Sequence, residues 1–123
     1  MILDHVGFNV TDFPQARDFF TKALAPLRIG IAAQGEGWAM LGRDGKPQFG
    51  LRAKGPAPGV IHVAFAAEDR EQVRRFHAAA LAAGGRDNGA PGLRPGYHPD
   101  YYGAFVIGPD GHNVEAVCHT PEP

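Results

Sequence analysis

The sequence predicts an α+β fold of two tandem βαβββ modules. Their eight strands are expected to form a mixed, curved sheet with one helix per module on its outer face. Three observations carry this expectation. Leu3-Asp4-His5-Val6-Gly7-Phe8 returns as Val60-Ile61-His62-Val63-Ala64-Phe65, an offset of 57. Held without gaps, that offset matches ten identical residues between positions 5 and 25, among them His5, Asp12, Gln15 and Phe19 with His62, Asp69, Gln72 and Phe76. Gly42-Arg43-Asp44-Gly45 then returns as Gly108-Pro109-Asp110-Gly111 at an offset of 66, so the second copy carries nine extra residues before its last hairpin. Such self-similarity marks an internal duplication.

Each copy reads the same way. A strand (about Ile2–Val10, about Val60–Ala66) leads into a helix opened by a capping box. Asp12 with Gln15, and Asp69 with Gln72, place an acceptor at the N-cap and an amide three residues on. Ala16, Phe19, Phe20, Ala23 and Leu24 form one apolar stripe, and Val73, Phe76, His77, Ala80 and Leu81 the other. Ala25-Pro26 and Ala83-Gly84-Gly85 end the helices. Three strands follow in each copy, near Arg28–Ala33, Trp38–Gly42 and Gln48–Ala53, then near Arg86–Asn88, Ala104–Gly108 and Asn113–Cys118. Arg-Asp-Gly and Pro-Asp-Gly supply the turns before the final strands. The modules span about 1–55 and about 58–119 of one domain.

The totals narrow the function classes. A chain of 123 residues, 44% hydrophobic and 20% charged, has the balance of a globular domain with a real core. A formal net charge of -1 and the lack of a Lys/Arg block argue against nucleic-acid or anionic-membrane partners. No apolar run approaches the roughly 20 residues that cross a bilayer. One cysteine, Cys118, excludes an internal disulfide, and no signal-peptide pattern follows Met1, so a cytoplasmic location is expected.

Strand alternation sorts the polar residues. Val6, Phe8 and Val10 share the face that takes the helix, leaving His5, Gly7 and Asn9 opposite. In the fifth strand His62 lies opposite the helix with Ala64 and Ala66, and in the last strand Glu115 lies opposite Val114 and Ala116. A strand histidine is often a hydrogen-bonded structural residue, and duplication would copy it. Two histidines and one carboxylate on matching faces, beside the small Gly7 and Ala64, equally form the ligand set of non-haem Fe(II) enzymes.

Two βαβββ modules, a histidine opening each and Glu115 in the final strand resemble the vicinal oxygen chelate superfamily of glyoxalases, bleomycin-resistance proteins and extradiol dioxygenases. The resemblance covers essentially the whole chain. It implies a divalent metal (Fe2+ favoured, with Mn2+, Zn2+ or Ni2+ as alternatives) held by His5, His62 and Glu115. It also implies a small oxygenated substrate bound through two neighbouring oxygens, and a homodimer. At an offset of 66 the fourth ligand position of four-ligand glyoxalases falls on Phe49, which cannot bind metal and is expected to border substrate instead. Three ligands resemble dioxygenases and fosfomycin-resistance enzymes more than glyoxalase I. Gln48 would serve as a fourth ligand only after a one-residue slip, which turns a side chain to the other face. A dioxygenase-like activity therefore leads. A lyase or thiol transferase, and a metal-free binding protein of the bleomycin-resistance type, are the alternatives.

The extra residues fall in Gly89–Tyr102, a Pro/Gly segment that holds all three tyrosines. It can be a plain connector, or a loop over the open face. On the second reading Arg94 binds a substrate carboxylate or phosphate, and Tyr101, Tyr102 or His98 supplies acid/base or oxyanion chemistry.

Overall fold

The computed structural model describes residues 4–53, 55 and 59–122. Residues 2 and 3 of the expected first strand lie outside that range, as do residues 54 and 56–58 between the modules. The chain runs β1 (Val6–Asn9), α1 (Phe13–Leu24), β2 (Gly30–Gly35), β3 (Trp38–Gly42) and β4 (Phe49–Arg52). It then repeats as β5 (His62–Ala66), α2 (Arg70–Ala82), β6 (Arg86–Leu93), β7 (Tyr102–Ile107) and β8 (Asn113–Cys118). The α+β fold class and the duplicated βαβββ order hold. The eight strands form two four-stranded sheets, ordered β1-β4-β3-β2 and β5-β8-β7-β6, in place of one continuous sheet. In each sheet the first strand lies at an edge, paired parallel to the last strand of its module, and β1 does not pair with β5.

Both helices begin as their capping residues dictate. Asp12 Oδ1 accepts from the Gln15 N–H at 3.1 Å, and Asp69 Oδ1 from the Gln72 N–H at 2.8 Å. Gln72 Oε1 accepts from the Glu68 N–H at 2.8 Å, tying the residue before the N-cap to the first turn. The apolar stripe of α1 is buried, as are Val73, Phe76 and Ala80 of α2, while Leu81 at its end is exposed; the two helices pack against each other. The two modules share one core: Phe49 meets Phe8, Phe20 and Phe65 at ring-centroid distances of 5.5, 4.9 and 5.1 Å. Asp44 and Gly45, like Asp110 and Gly111, adopt positive φ in the turns before the last strands, which Asp-Gly pairs tolerate.

Two expectations change here. The segment after α2 is largely strand, since β6 extends to Leu93 with two register shifts against β7. The repeat register of the last strands also moves by one. Val6 pairs with Phe49 and Gly7 with Gly50, whereas Val63 pairs with Val114 and Ala64 with Glu115. The symmetry partner of Glu115 is therefore Gly50, at an offset of 65. The cause is a first-copy turn one residue longer between its Asp-Gly pair and the strand. Phe49 corresponds to Val114 and belongs to the core at 2% exposure, so its expected place opposite Glu115 is corrected.

Candidate metal and substrate site

The open face of the second sheet brings His62, Glu115, Phe105 and Tyr101 together. β5 and β8 place Ala64 beside Glu115, and β7 places Phe105 on its other side. His62 lies two residues before Ala64 and so projects to the same face. Its Nε2 stands 3.0 Å from Glu115 Oε1, and its Nδ1 3.1 Å from the Asn113 carbonyl. A carbonyl accepts only, so Nδ1 donates its N–H there. Nε2 then meets the carboxylate oxygen either through its own proton or through a cation held between them. Metal-ligating histidines are commonly held this way, with the far ring nitrogen donating to a carbonyl or carboxylate.

Glu115 is buried to 1% exposure, so its charge depends on its partners. The Tyr101 hydroxyl donates to its Oε2. Burial and this hydrogen bond to a carboxylate push the Tyr101 hydroxyl above the ordinary tyrosine range, so it remains a donor at neutral pH. Gly103 makes the approach possible: a Cβ there would lie 3.2 Å from both Glu115 Oε2 and the Tyr101 ring. The His62 ring also stacks on Phe105 at 6.2 Å.

His5 sits on the first module and is exposed. Its Nδ1 is 2.9 Å from Asp4 Oδ1, and that hydrogen bond holds the Asp4 carboxyl below its usual range. Both histidines thus have Nδ1 engaged by oxygen, while Nε2 of His62 meets Glu115. His5 does not join the His62–Glu115 pair, and no group of three or more potential ligands gathers among the described residues. His5 instead borders a cleft of about 750 Å³ on the first sheet, with Gly7, Trp38, Met40, Gly50 and Arg52. A smaller cavity of about 220 Å³ lies between His5, Phe49 and Ala64. Neither cavity reaches His62 or Glu115.

The remaining expected residues divide. Arg94 lies over Phe105, 5.4 Å from its ring centroid, and so stands beside the site. Tyr102 projects away from it: its ring lies under Arg70 and Arg74, and its hydroxyl accepts from Arg74 at 3.2 Å. The one-residue step from Tyr101 accounts for that, and its expected acid/base role is corrected. His98 Nδ1 accepts from the Asp100 N–H at 3.1 Å, and its ring meets His119 edge-on at 5.5 Å, with no contact to Glu115. Asp4, Gly103 and Phe105 escape the sequence reading. Asp4 was legible only as the residue beside a histidine, and Phe105 only through its register with Glu115.

The donor set suits a divalent metal: one imidazole nitrogen and one carboxylate oxygen converge, and a second imidazole with the same Nδ1 support lies on the other module. The chain belongs to the Glyoxalase/Bleomycin resistance protein/Dioxygenase superfamily, whose family model matches residues 2–116. A glyoxalase/bleomycin resistance protein from Albidiferax ferrireducens is similar in structure, with a TM-score of 0.83 and 28% identity over 98% of this chain and 100% of that one. A glyoxalase/bleomycin resistance protein/dioxygenase family enzyme from Burkholderia phytofirmans matches at a TM-score of 0.72 and 14% identity, over 95% and 98% of the two chains. A mutant of glyoxalase I from Zea mays matches at 0.68 and 23%, over 94% of this chain but 46% of that longer one. Among curated proteins, none matches significantly.

Proposed function

We propose that this protein is a divalent-metal enzyme that binds a small oxygenated metabolite through two neighbouring oxygens, with dioxygenase-like chemistry. The observation that carries the proposal is the His62 Nε2–Glu115 Oε1 approach of 3.0 Å, an imidazole nitrogen and a carboxylate oxygen brought together beside an open face. The ligands are His62 and Glu115 of one chain with His5 of a second copy, because one chain does not gather all three. Two histidines and a carboxylate favour Fe2+, with Mn2+, Zn2+ and Ni2+ as competitors. When bound, such an ion supplies Lewis acidity to the chelated oxygens.

The chain's own residues do the rest. Tyr101 holds the outer oxygen of Glu115 and keeps a proton at the edge of the site. Asn113 and Asp4 fix the two imidazoles. Gly50 supports the three-ligand reading: the position matching Glu115 has no side chain, and the Met40 sulfur would lie 2.5 Å from a Cβ placed there. Three protein ligands leave coordination positions for a bidentate substrate and a second reactant.

The test is elemental analysis of tag-free wild type and His62→Ala, followed by oxygen uptake with a catechol probe on Fe2+-loaded protein. About one metal per chain, lost in His62→Ala with the melting transition retained, is the expected result. Full occupancy in the variant sinks the ligand assignment. Metal binding without oxygen uptake moves the reading to isomerase or thiol-transferase chemistry, and no metal in either protein to a metal-free binding protein.

A further inference from the structure

Resting on that proposed function, we infer that Arg94 anchors an anionic oxygen group, a carboxylate or phosphate, on the molecule held at His62 and Glu115. Arg94 follows β6 directly, and its backbone N–H donates to the Tyr101 carbonyl at 2.7 Å, closing the turn that presents Tyr101. Its side chain folds back along the strand. Nη2 donates to the Ala90 carbonyl at 2.8 Å, and the guanidinium lies over Phe105. Two glycines form the seat: a Cβ at Gly89 would meet Nη2 at 3.2 Å, and one at Gly92 would meet Nη1 at 3.1 Å.

Phe105 links this seat to the metal ligands. It pairs in register with Glu115 and carries the His62 ring on its face, so imidazole and guanidinium share one aromatic neighbour. Two neighbouring guanidiniums are neutralised: Arg70 approaches Asp100 at 4.0 Å, and Arg74 meets Glu71 and Glu122 at 2.9 and 3.0 Å. Arg75 and Arg86 are exposed to solvent, whereas Arg94 is held against Phe105 beside the site. Arg94 is half-buried, holds one carbonyl, and pairs with no carboxylate among the described residues. A partly desolvated guanidinium with most of its N–H fork unfilled fits a planar or tetrahedral oxyanion, which it binds in bidentate fashion. Its charge also offsets the repulsion that buried Glu115 exerts on an incoming anion.

Binding of four probes under nitrogen tests this: catechol, 3,4-dihydroxybenzoate, benzoate and phenyl phosphate. On the Fe2+-loaded protein, 3,4-dihydroxybenzoate should bind about 10-fold or more tighter than catechol, the ratio expected of a charge-assisted hydrogen-bond pair. In Arg94→Met that ratio should fall to near one, with 3,4-dihydroxybenzoate losing far more affinity than catechol. Gly92→Ala, which keeps the charge but crowds its seat, should lower the ratio in part, and it decides the matter if Arg94→Met fails to fold. Benzoate and phenyl phosphate cannot chelate, so they report on Arg94 without the metal. The tighter of the two identifies the anion class.

Arg94-dependent benzoate or phenyl phosphate binding without catechol binding would retain the anion site and overturn the metal reading. Catechol binding with an unchanged ratio in Arg94→Met would overturn the anion site and retain the metal.

Discussion

Single side chains at the junction of the modules carry consequences that strand patterns do not announce. His112 reads in the sequence only as a residue after a turn glycine, yet it is completely buried. Its Nδ1 accepts from the Ile61 N–H at 3.1 Å, its ring meets Phe8 edge-on at 4.9 Å, and its Nε2 has no partner. Burial holds its pKa below the ordinary 6.5, against the opposing pull of Asp110. A histidine kept neutral by folding contributes stability that is fully present above pH 6.5 and is lost as pH falls through its lower folded value, because the unfolded chain then binds the extra proton. The melting temperature should therefore drop between pH 7 and pH 5. His112→Asn retains an acceptor for Ile61, so it should flatten that slope while costing about 1–3 kcal/mol at pH 7 through lost packing and hydrogen bonding. Thermal melts of both proteins across the interval check it, and an unchanged slope in the variant assigns the titration elsewhere.

At the scale of elements, the sequence was legible wherever periodicity and capping agree. Asp12 and Asp69 mark both helix starts, and the strands Trp38–Gly42 and Asn113–Cys118 fall where alternation and turn residues place them. It was not legible where one residue decides a face. The Asp-Gly turns align the repeats at an offset of 66, but the longer first turn resets the strand to 65, exchanging Phe49 for Gly50 opposite Glu115. Nor does sequence alone reveal whether β1 and β5 join into one sheet, since that depends on how the two helices pack. The register makes a sharp prediction. Gly50→Glu combined with Met40→Ala, which clears the space above it, should add a carboxylate beside the first-module histidine and tighten metal binding about tenfold or more. Phe49→Glu should instead bury a carboxylate among Phe8, Phe20 and Phe65 and destabilise the fold by several kcal/mol. Metal titration and denaturant melts of the two variants separate the registers: tighter binding by a well-folded Phe49→Glu protein would restore the offset of 66.

For the whole molecule, the separation of His5 from the His62–Glu115 pair is the decisive feature. Each module leaves one sheet face open and one first strand unpaired at its edge, and unpaired edges are normally covered. A two-fold dimer that lays the first sheet of one chain against the second sheet of its partner covers both. It creates two equivalent sites, because such a contact is made twice. Each site then takes His5 from one chain and His62 and Glu115 from the other. That arrangement has a signature no single-chain site shares. His5→Ala and His62→Ala should each fail to bind metal at full strength, since either variant alone damages both sites of its homodimer. Mixed and allowed to exchange subunits, they form heterodimers in which one site carries both substitutions and the other carries neither. Random reassortment makes about half the dimers mixed, so about a quarter of wild-type metal sites should return, with oxygen uptake in proportion. Light scattering at micromolar concentration should report the dimer throughout. If the mixture recovers no metal while both variants remain dimeric and exchange subunits, the three ligands belong to one chain, and the modules must close on each other to bring them together.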